Sequence, residues 1–81
     1  MTHPTDISVL TRLLDDSTLS PGRRAEILFE RGKLYWREGN HTAAVADYAA
    51  ARDLDSSSPA AVALQHASDI ASFFNPDMFN P

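Results

Sequence analysis

Histidines, carboxylates and serines are the side chains of this sequence that could do chemistry, and their spacing decides whether they do. The three histidines stand in three separate segments. Two carboxylate pairs, Asp15-Asp16 and Asp53-Asp55, fall where helices are expected to end. The serines at 56–58 have no base beside them in the sequence. These spacings favour surface histidines, loop acids and capping serines, so we expect no catalytic residue, metal ligand, cofactor or enzyme activity.

Length, charge and composition narrow the classes of protein to which the chain could belong. Eighty-one residues predict one domain, residues 1–81, with a modest core. The chain has no cysteine, which excludes disulfides and thiolate chemistry and fits a cytoplasmic protein. A net charge of −4 disfavours nucleic acid as a partner, because phosphate contact needs a positive face. Residues 1–20 contain charges and no continuous apolar run, so we expect neither a signal peptide nor a membrane partner.

Two helices are predicted in the first half of the chain from apolar residues at helical spacing and from start and stop signals. The first is expected to follow Thr5 as its N-cap and to end near Asp15. The second opens at Ser20 and Pro21, because a serine can cap the free N–H groups and proline suits the first helical position. Gly39 is expected to stop it.

Two more helices are predicted in the second half. The third is the stretch HTAAVADYAAARDL, capped by Asn40 or Thr42. The fourth runs from Ala60 to about Phe74, with Ser58 as its cap. No alternation typical of a strand occurs, and the short connections make successive helices antiparallel neighbours. The sequence therefore predicts an all-α fold.

Residues 24–57 carry small and large side chains at the spacing of a known helical hairpin. Glycine, tyrosine, alanine and leucine occupy its marker positions: Gly32, Tyr35, Gly39, Ala44, Tyr48, Ala51 and Leu54. This pattern resembles a tetratricopeptide repeat (TPR), a hairpin of about 34 residues. In such a hairpin Gly32 and Ala44 would let the two helices approach, and Tyr35 and Tyr48 would fill the space beside them.

Four positions depart from the repeat pattern. Arg31 stands where an apolar residue is expected, and we expect it to reach Asp15 or Asp16 of the first helix. In the other three departures, a tryptophan is replaced by Leu28, an aromatic residue by His41 and a proline by Ser56.

The flanking helices fit a stack of such hairpins. A single repeat cannot bury both faces, so repeats pack side by side. The first helix resembles the second half of a preceding repeat. The segment at 59–74 resembles a capping helix, and an aromatic tail follows at 75–81. The resemblance thus implies TPR-like antiparallel hairpins forming a fragment of a right-handed α-α superhelix.

The resemblance also implies a concave groove that binds a peptide. Phe29 and Trp36 would offer apolar area and Lys33 and Arg37 positive charge, a face suited to an acidic, aromatic segment. The alternative is that Phe29 and Trp36 simply pack against the fourth helix. The predicted groove residues come from the second and fourth helices: Glu26, Phe29, Lys33, Trp36, Arg37, Ala63, Ala67 and Ile70.

The sequence ends in apolar residues set between Asn-Pro steps. We expect Phe74, Met78 and Phe79 to form a lid on the apolar surface of the helices, and the alternative is a tail that only a partner orders.

Two functions are consistent with these features. The first is a protein-interaction module of TPR type, an adaptor or assembly factor that binds a peptide of a partner protein. The second is a structural protein that forms a homodimer through its groove and tail.

Overall fold

The part of the chain that the structure describes folds into four helices. The computed structural model describes residues 6–73, with side chains over residues 6–67. Over this part of the chain the helices are α1 (Ile7–Leu13), α2 (Pro21–Arg37), α3 (His41–Leu54) and α4 (Ala60–Phe73), and no strand occurs. The predicted all-α class, built from packed helical hairpins, is confirmed.

The starts of α2, α3 and α4 follow local capping signals. The Ser20 Oγ accepts a hydrogen bond from the Arg23 N–H at 3.1 Å. The Asn40 Oδ1 accepts one from the Ala43 N–H at 3.2 Å, so Asn40 rather than Thr42 is the cap of α3. The Ser58 Oγ accepts one from the Ala60 N–H at 3.1 Å. Each serine or asparagine satisfies a backbone donor that has no partner inside its helix.

The helix ends agree with the predictions to within one or two residues. The N-cap of α1 is Asp6, and Thr5 lies outside the described residues. The last residue of α1 is Leu13, two positions before the predicted end. After α2, Gly39 has φ of +87°, a backbone conformation that glycine adopts without steric cost, and the chain reverses there into α3. The last described residue of α4 is Phe73.

α2 and α3 form the central antiparallel hairpin, and its close approach depends on Gly32. A Cβ atom at Gly32 would lie 2.6 Å from Tyr48 Cε1 and 3.3 Å from the Ala44 carbonyl oxygen. Tyr48 is 5% exposed, and Ala44 is fully buried. The predicted roles of Gly32, Ala44 and Tyr48 in this crossing are therefore confirmed.

Arg24 of α2 donates hydrogen bonds to the C-terminal end of α1 and to the turn that follows it. The Arg24 Nη1 donates to the Leu14 carbonyl and its Nη2 to the Asp16 carbonyl, each at 2.8 Å. Leu14 is the C-cap of α1, and Asp16 lies in the turn that follows, where its carbonyl also accepts from the Leu19 N–H at 3.4 Å. A positive charge is favourable at a helix C-terminus. A helix of seven residues is marginal alone, so this docking stabilises α1.

Arg31 joins three helices, and its predicted contact with Asp15 or Asp16 is wrong. Its guanidinium lies against Asp47 of α3, with two hydrogen bonds of 2.8 Å, and its Nη1 donates to the Thr11 Oγ1 of α1 at 3.1 Å. The hydrogen bond to Asp47 raises the pKa of Arg31 above its ordinary value. A charged residue can therefore stand at this inward position because a buried carboxylate on the next helix neutralises it.

Candidate functional site

A cavity of about 410 Å³ opens between the first half of α2 and the linker that leads into α4. We call it the Phe29 cavity. Its α2 side includes Gly22, Glu26 and Phe29, and its linker side includes Asp55 and Pro59. Glycine at position 22 contributes to the open space, because no atom lies within 4 Å of where its Cβ would be.

A smaller cavity of about 90 Å³, the Trp36 cavity, lies further along the same two helices. Trp36 from the end of α2 lines it with Ala63 and Ala67 of α4 and with Tyr48 of α3. The start of α2 thus lies beside the linker that precedes α4, and the end of α2 lies beside the middle of α4. We call the surface that contains these two cavities the α2–α4 groove.

A third cavity, of about 170 Å³, lies on the other side of α2 against α1. Leu10 and Leu13 of α1 and Ile27 of α2 give it an apolar floor. Leu10 and Ile27 are buried, whereas Leu13 is 43% exposed. We call it the Leu13 cavity.

Aromatic rings form the floor of the α2–α4 groove. The ring centroid of Phe29 lies 5.9 Å from that of Tyr48, at an interplanar angle of 44°. Trp36 stacks on His41, with centroids 3.9 Å apart and planes 23° apart. Both Phe29 and Trp36 are half-buried, because one part of each ring packs on the core while another part remains open. Trp36 therefore lies beside Ala63 and Ala67 of α4, whereas the Phe29 ring lies against Tyr48 of α3.

Charged groups surround this floor in pairs. The Arg23 Nη1 lies 3.1 Å from the Glu26 Oε1, and the Lys33 Nζ lies 2.9 Å from the Glu30 Oε2. The Lys33 Nζ also lies 4.7 Å from the centroid of the Phe29 ring, at cation–π distance. The Lys33 ammonium thus lies between two side chains of its own helix, those of Phe29 and Glu30.

Asp55 presents a carboxylate at the rim of the Phe29 cavity. Its Oδ1 accepts hydrogen bonds from the Ser57 hydroxyl at 2.6 Å and from the Ser57 N–H at 3.0 Å. These bonds, the hydroxyl first, lower the pKa of Asp55 below its ordinary value of 3.8. The linker therefore places a stable negative charge beside the cavity.

The predicted groove residues separate into three groups. Glu26 and Phe29 line the Phe29 cavity, and Trp36, Ala63 and Ala67 line the Trp36 cavity, where Ala67 is already covered at 2% exposure. Lys33 and Arg37 are exposed and line neither of these two cavities. The side chain of Ile70 and the predicted lid of Phe74, Met78 and Phe79 lie outside the described residues.

The linker before α4 contributes residues to the Phe29 cavity that the sequence pattern did not indicate. Asp55, Ser57 and Pro59 line the Phe29 cavity, and so do Arg23 and Glu30 on α2. The Asp-Ser-Ser-Ser-Pro stretch was recognised only as a helix start signal. That signal predicts where α4 begins but contains no information on which surface of α2 the linker faces.

Within residues 6–67 no group of three or more histidine, cysteine, aspartate or glutamate side chains is placed to hold a metal ion. None of the described helices combines the length and apolar character that crossing a membrane requires.

Comparison with known proteins finds no family model, no curated protein and no solved structure that matches the chain.

Proposed function

We propose that this chain is a protein-interaction module whose α2–α4 groove binds an extended segment of a partner protein. The observation that carries the proposal is the Phe29 cavity, an open space of about 410 Å³ lined by the Phe29 ring and by charged side chains. Half-buried aromatic rings flanked by polar groups are the usual anchors of protein recognition. The resemblance of residues 24–57 to a TPR hairpin supports the same function, since such hairpins bind peptides along their first helices.

Binding fits the groove better than catalysis does. The charged groups at its rim are engaged with each other, Arg23 with Glu26 and Lys33 with Glu30, and Asp55 is engaged with Ser57. Catalysis would call for a nucleophile beside a base, or for a carboxyl group with a raised pKa. The pKa of Asp55 is lowered instead, by its hydrogen bonds from Ser57, so this carboxyl lacks the raised pKa that a general acid needs. We propose a cytoplasmic setting on the basis of the cysteine-free sequence.

Site-specific photo-crosslinking tests the proposal. A benzophenone amino acid replaces Glu26, which lines the cavity with a side chain that is 68% exposed, in cells that express the chain. The matched control places the same amino acid at Ala46, which is exposed on α3 and lines none of the three cavities. We expect a crosslinked partner protein from position 26 and none from position 46. The same products from both positions, or none from either, would contradict the proposal.

Self-association is the competing outcome of the same experiment. If the groove joins two copies, position 26 crosslinks the chain to itself and light scattering of the purified protein gives the mass of a dimer. Our proposal predicts a monomer of 8.9 kDa and a crosslink to a different protein.

A further inference from the structure

Three charged residues of α2 form a ridge between two cavities. Arg23, Glu26 and Glu30 line both the Phe29 cavity on one side and the Leu13 cavity on the other. They follow one another at spacings of three and four residues, which places them on one face of the helix. A partner segment that crosses α2 at this point would therefore contact the apolar surface of the Phe29 cavity, then the charged ridge, then the apolar surface of the Leu13 cavity.

Both floors can accept an apolar side chain. On one side Phe29 is half-buried and Pro59 is exposed, so apolar surface faces the space of about 410 Å³. On the other side Leu13 is 43% exposed above the buried Leu10 and Ile27, in a space of about 170 Å³. Covering such surface with a partner removes apolar area from water, which is favourable.

The net charge of the surface between these floors is negative. Glu26, Glu30 and Asp55 contribute three carboxylates to the linings of the two cavities. Arg23 in the linings and Lys33, which pairs with Glu30 from outside them, contribute two positive charges, so the sum is −1. The side chains of Glu26 and Glu30 are 68% and 42% exposed. Their ion pairs with Arg23 and Lys33 are exposed surface pairs, which are weak, so a partner's cation can compete for either carboxylate.

We propose that the partner segment carries a lysine or arginine between two apolar side chains and lies across this ridge. The cation meets the carboxylates of Glu26 and Glu30, one apolar side chain enters the Phe29 cavity, and the other covers Leu13. This inference rests on the proposed function and deepens it, because it names the chemistry of the partner. This partner differs from the acidic one expected from Lys33 and Arg37, because those two residues line neither of the cavities that the ridge separates.

A peptide selection tests this chemistry. A phage library of random dodecapeptides is selected on the immobilised full-length chain, and the tightest peptide is synthesised for titration calorimetry. We expect the enriched sequences to share a lysine or arginine between two apolar residues. We also expect the affinity of the peptide to fall as salt concentration rises, because its charge contacts are solvent-exposed.

Matched variants locate the contact on the ridge. We expect the double variant Glu26→Gln with Glu30→Gln to weaken the peptide by about tenfold or more, since both charge contacts are lost. The control is Glu38→Gln, which removes a charge from an exposed residue that follows α2 and lines neither cavity, and should leave the affinity unchanged. Leu13→Ser should weaken the peptide severalfold by removing one apolar floor.

The outcomes separate this inference from the proposed function. Enriched peptides that are acidic, or that bind the Glu26→Gln/Glu30→Gln variant as tightly as the Glu38→Gln control, overturn the inference and leave the groove as a binding site for another chemistry. A selection that enriches no peptide above a surface without the chain overturns both.

Discussion

Arg31 of α2 and Asp47 of α3 form a two-point ion pair in which Nε and Nη2 of the arginine each lie 2.8 Å from a carboxylate oxygen. The side chains are 19% and 7% exposed, so neither charge is freely solvated. Breaking such a pair leaves one charge poorly compensated, whereas replacing both partners by apolar residues removes that penalty.

The first prediction concerns the stability that depends on this pair. We expect Arg31→Met to lower the free energy of unfolding by roughly 3 kcal/mol, because it leaves the buried Asp47 carboxylate without its partner. The double variant Arg31→Met with Asp47→Leu should recover most of that loss. The measurement is urea unfolding followed by circular dichroism. Arg23→Met, which breaks the exposed pair with Glu26, is the control and should cost less than about 1 kcal/mol. Equal losses from Arg31→Met and Arg23→Met would rule out a special role for the Arg31–Asp47 pair.

The second prediction compares two glycines of the same helix. Gly32→Ala should destabilise the protein by about 1–3 kcal/mol, since the added Cβ would lie 2.6 Å from the buried Tyr48 ring. Gly22→Ala should be neutral or stabilising by up to about 1 kcal/mol, because nothing lies within 4 Å and alanine favours helix. Thermal unfolding of the two variants measures the difference. Our account of the α2–α3 crossing fails if Gly32→Ala melts at or above the temperature of Gly22→Ala.

The third prediction concerns pH and the linker before α4. Since the pKa of Asp55 is lowered in the folded protein, the unfolded chain binds more protons at acidic pH. The contribution of Asp55 to stability is therefore present above its unfolded pKa and is lost as the pH falls through the folded pKa. We expect an NMR titration to place the pKa of Asp55 below 3.8, and Ser57→Ala to raise it by removing the hydroxyl donor. Ser56→Ala, at the exposed neighbouring serine, is the control. If Ser57→Ala and Ser56→Ala give the same pKa for Asp55, the hydrogen bond from the hydroxyl is not its cause.

Helix boundaries could be predicted from the sequence because capping is a local interaction. The Ser20 hydroxyl bonds to an N–H three residues away, and so does the Asn40 side chain. Both partners of each hydrogen bond therefore stand within one short stretch of the sequence. The same holds for Gly39, where the turn needs a positive φ and the residue type alone indicates it.

Contacts between helices could be predicted only where a known pattern already paired the positions. The approach of Gly32 to Tyr48 followed from the TPR resemblance, which assigns small and large residues to facing positions. No such pattern pairs Arg31 with Asp47, which stands sixteen residues away, so the contact expected with Asp15 or Asp16 was wrong. An aspartate within the alanine-rich third helix is the one sequence feature that indicates a polar contact there. Which residue it contacts depends on how α2 and α3 are rotated against each other.

The candidate site was predicted in part for the same reason. Helical spacing places Glu26 and Phe29 on one face of α2, and both line the Phe29 cavity. The linker residues Asp55 and Pro59 complete that cavity, and their position against α2 is set by the packing of α4 on the hairpin. The contribution of Asp55 to the charge around the cavity therefore could not be predicted from α2 alone.

The central claim is that a partner segment occupies the Phe29 cavity, and filling the cavity tests it most directly. Gly22 lines the cavity and has no neighbour within 4 Å of its Cβ position, so Gly22→Leu fills space without disturbing the core. The control is Ala46→Leu, at an exposed position on α3. The measurement is the affinity, by calorimetry, of the peptide selected on the unmodified chain, with the melting temperature recorded for each variant. We predict that Gly22→Leu melts no lower than the unmodified protein and binds the peptide at least about tenfold more weakly, while Ala46→Leu binds it normally. A folded Gly22→Leu variant that binds the peptide as tightly as the unmodified protein would contradict the account.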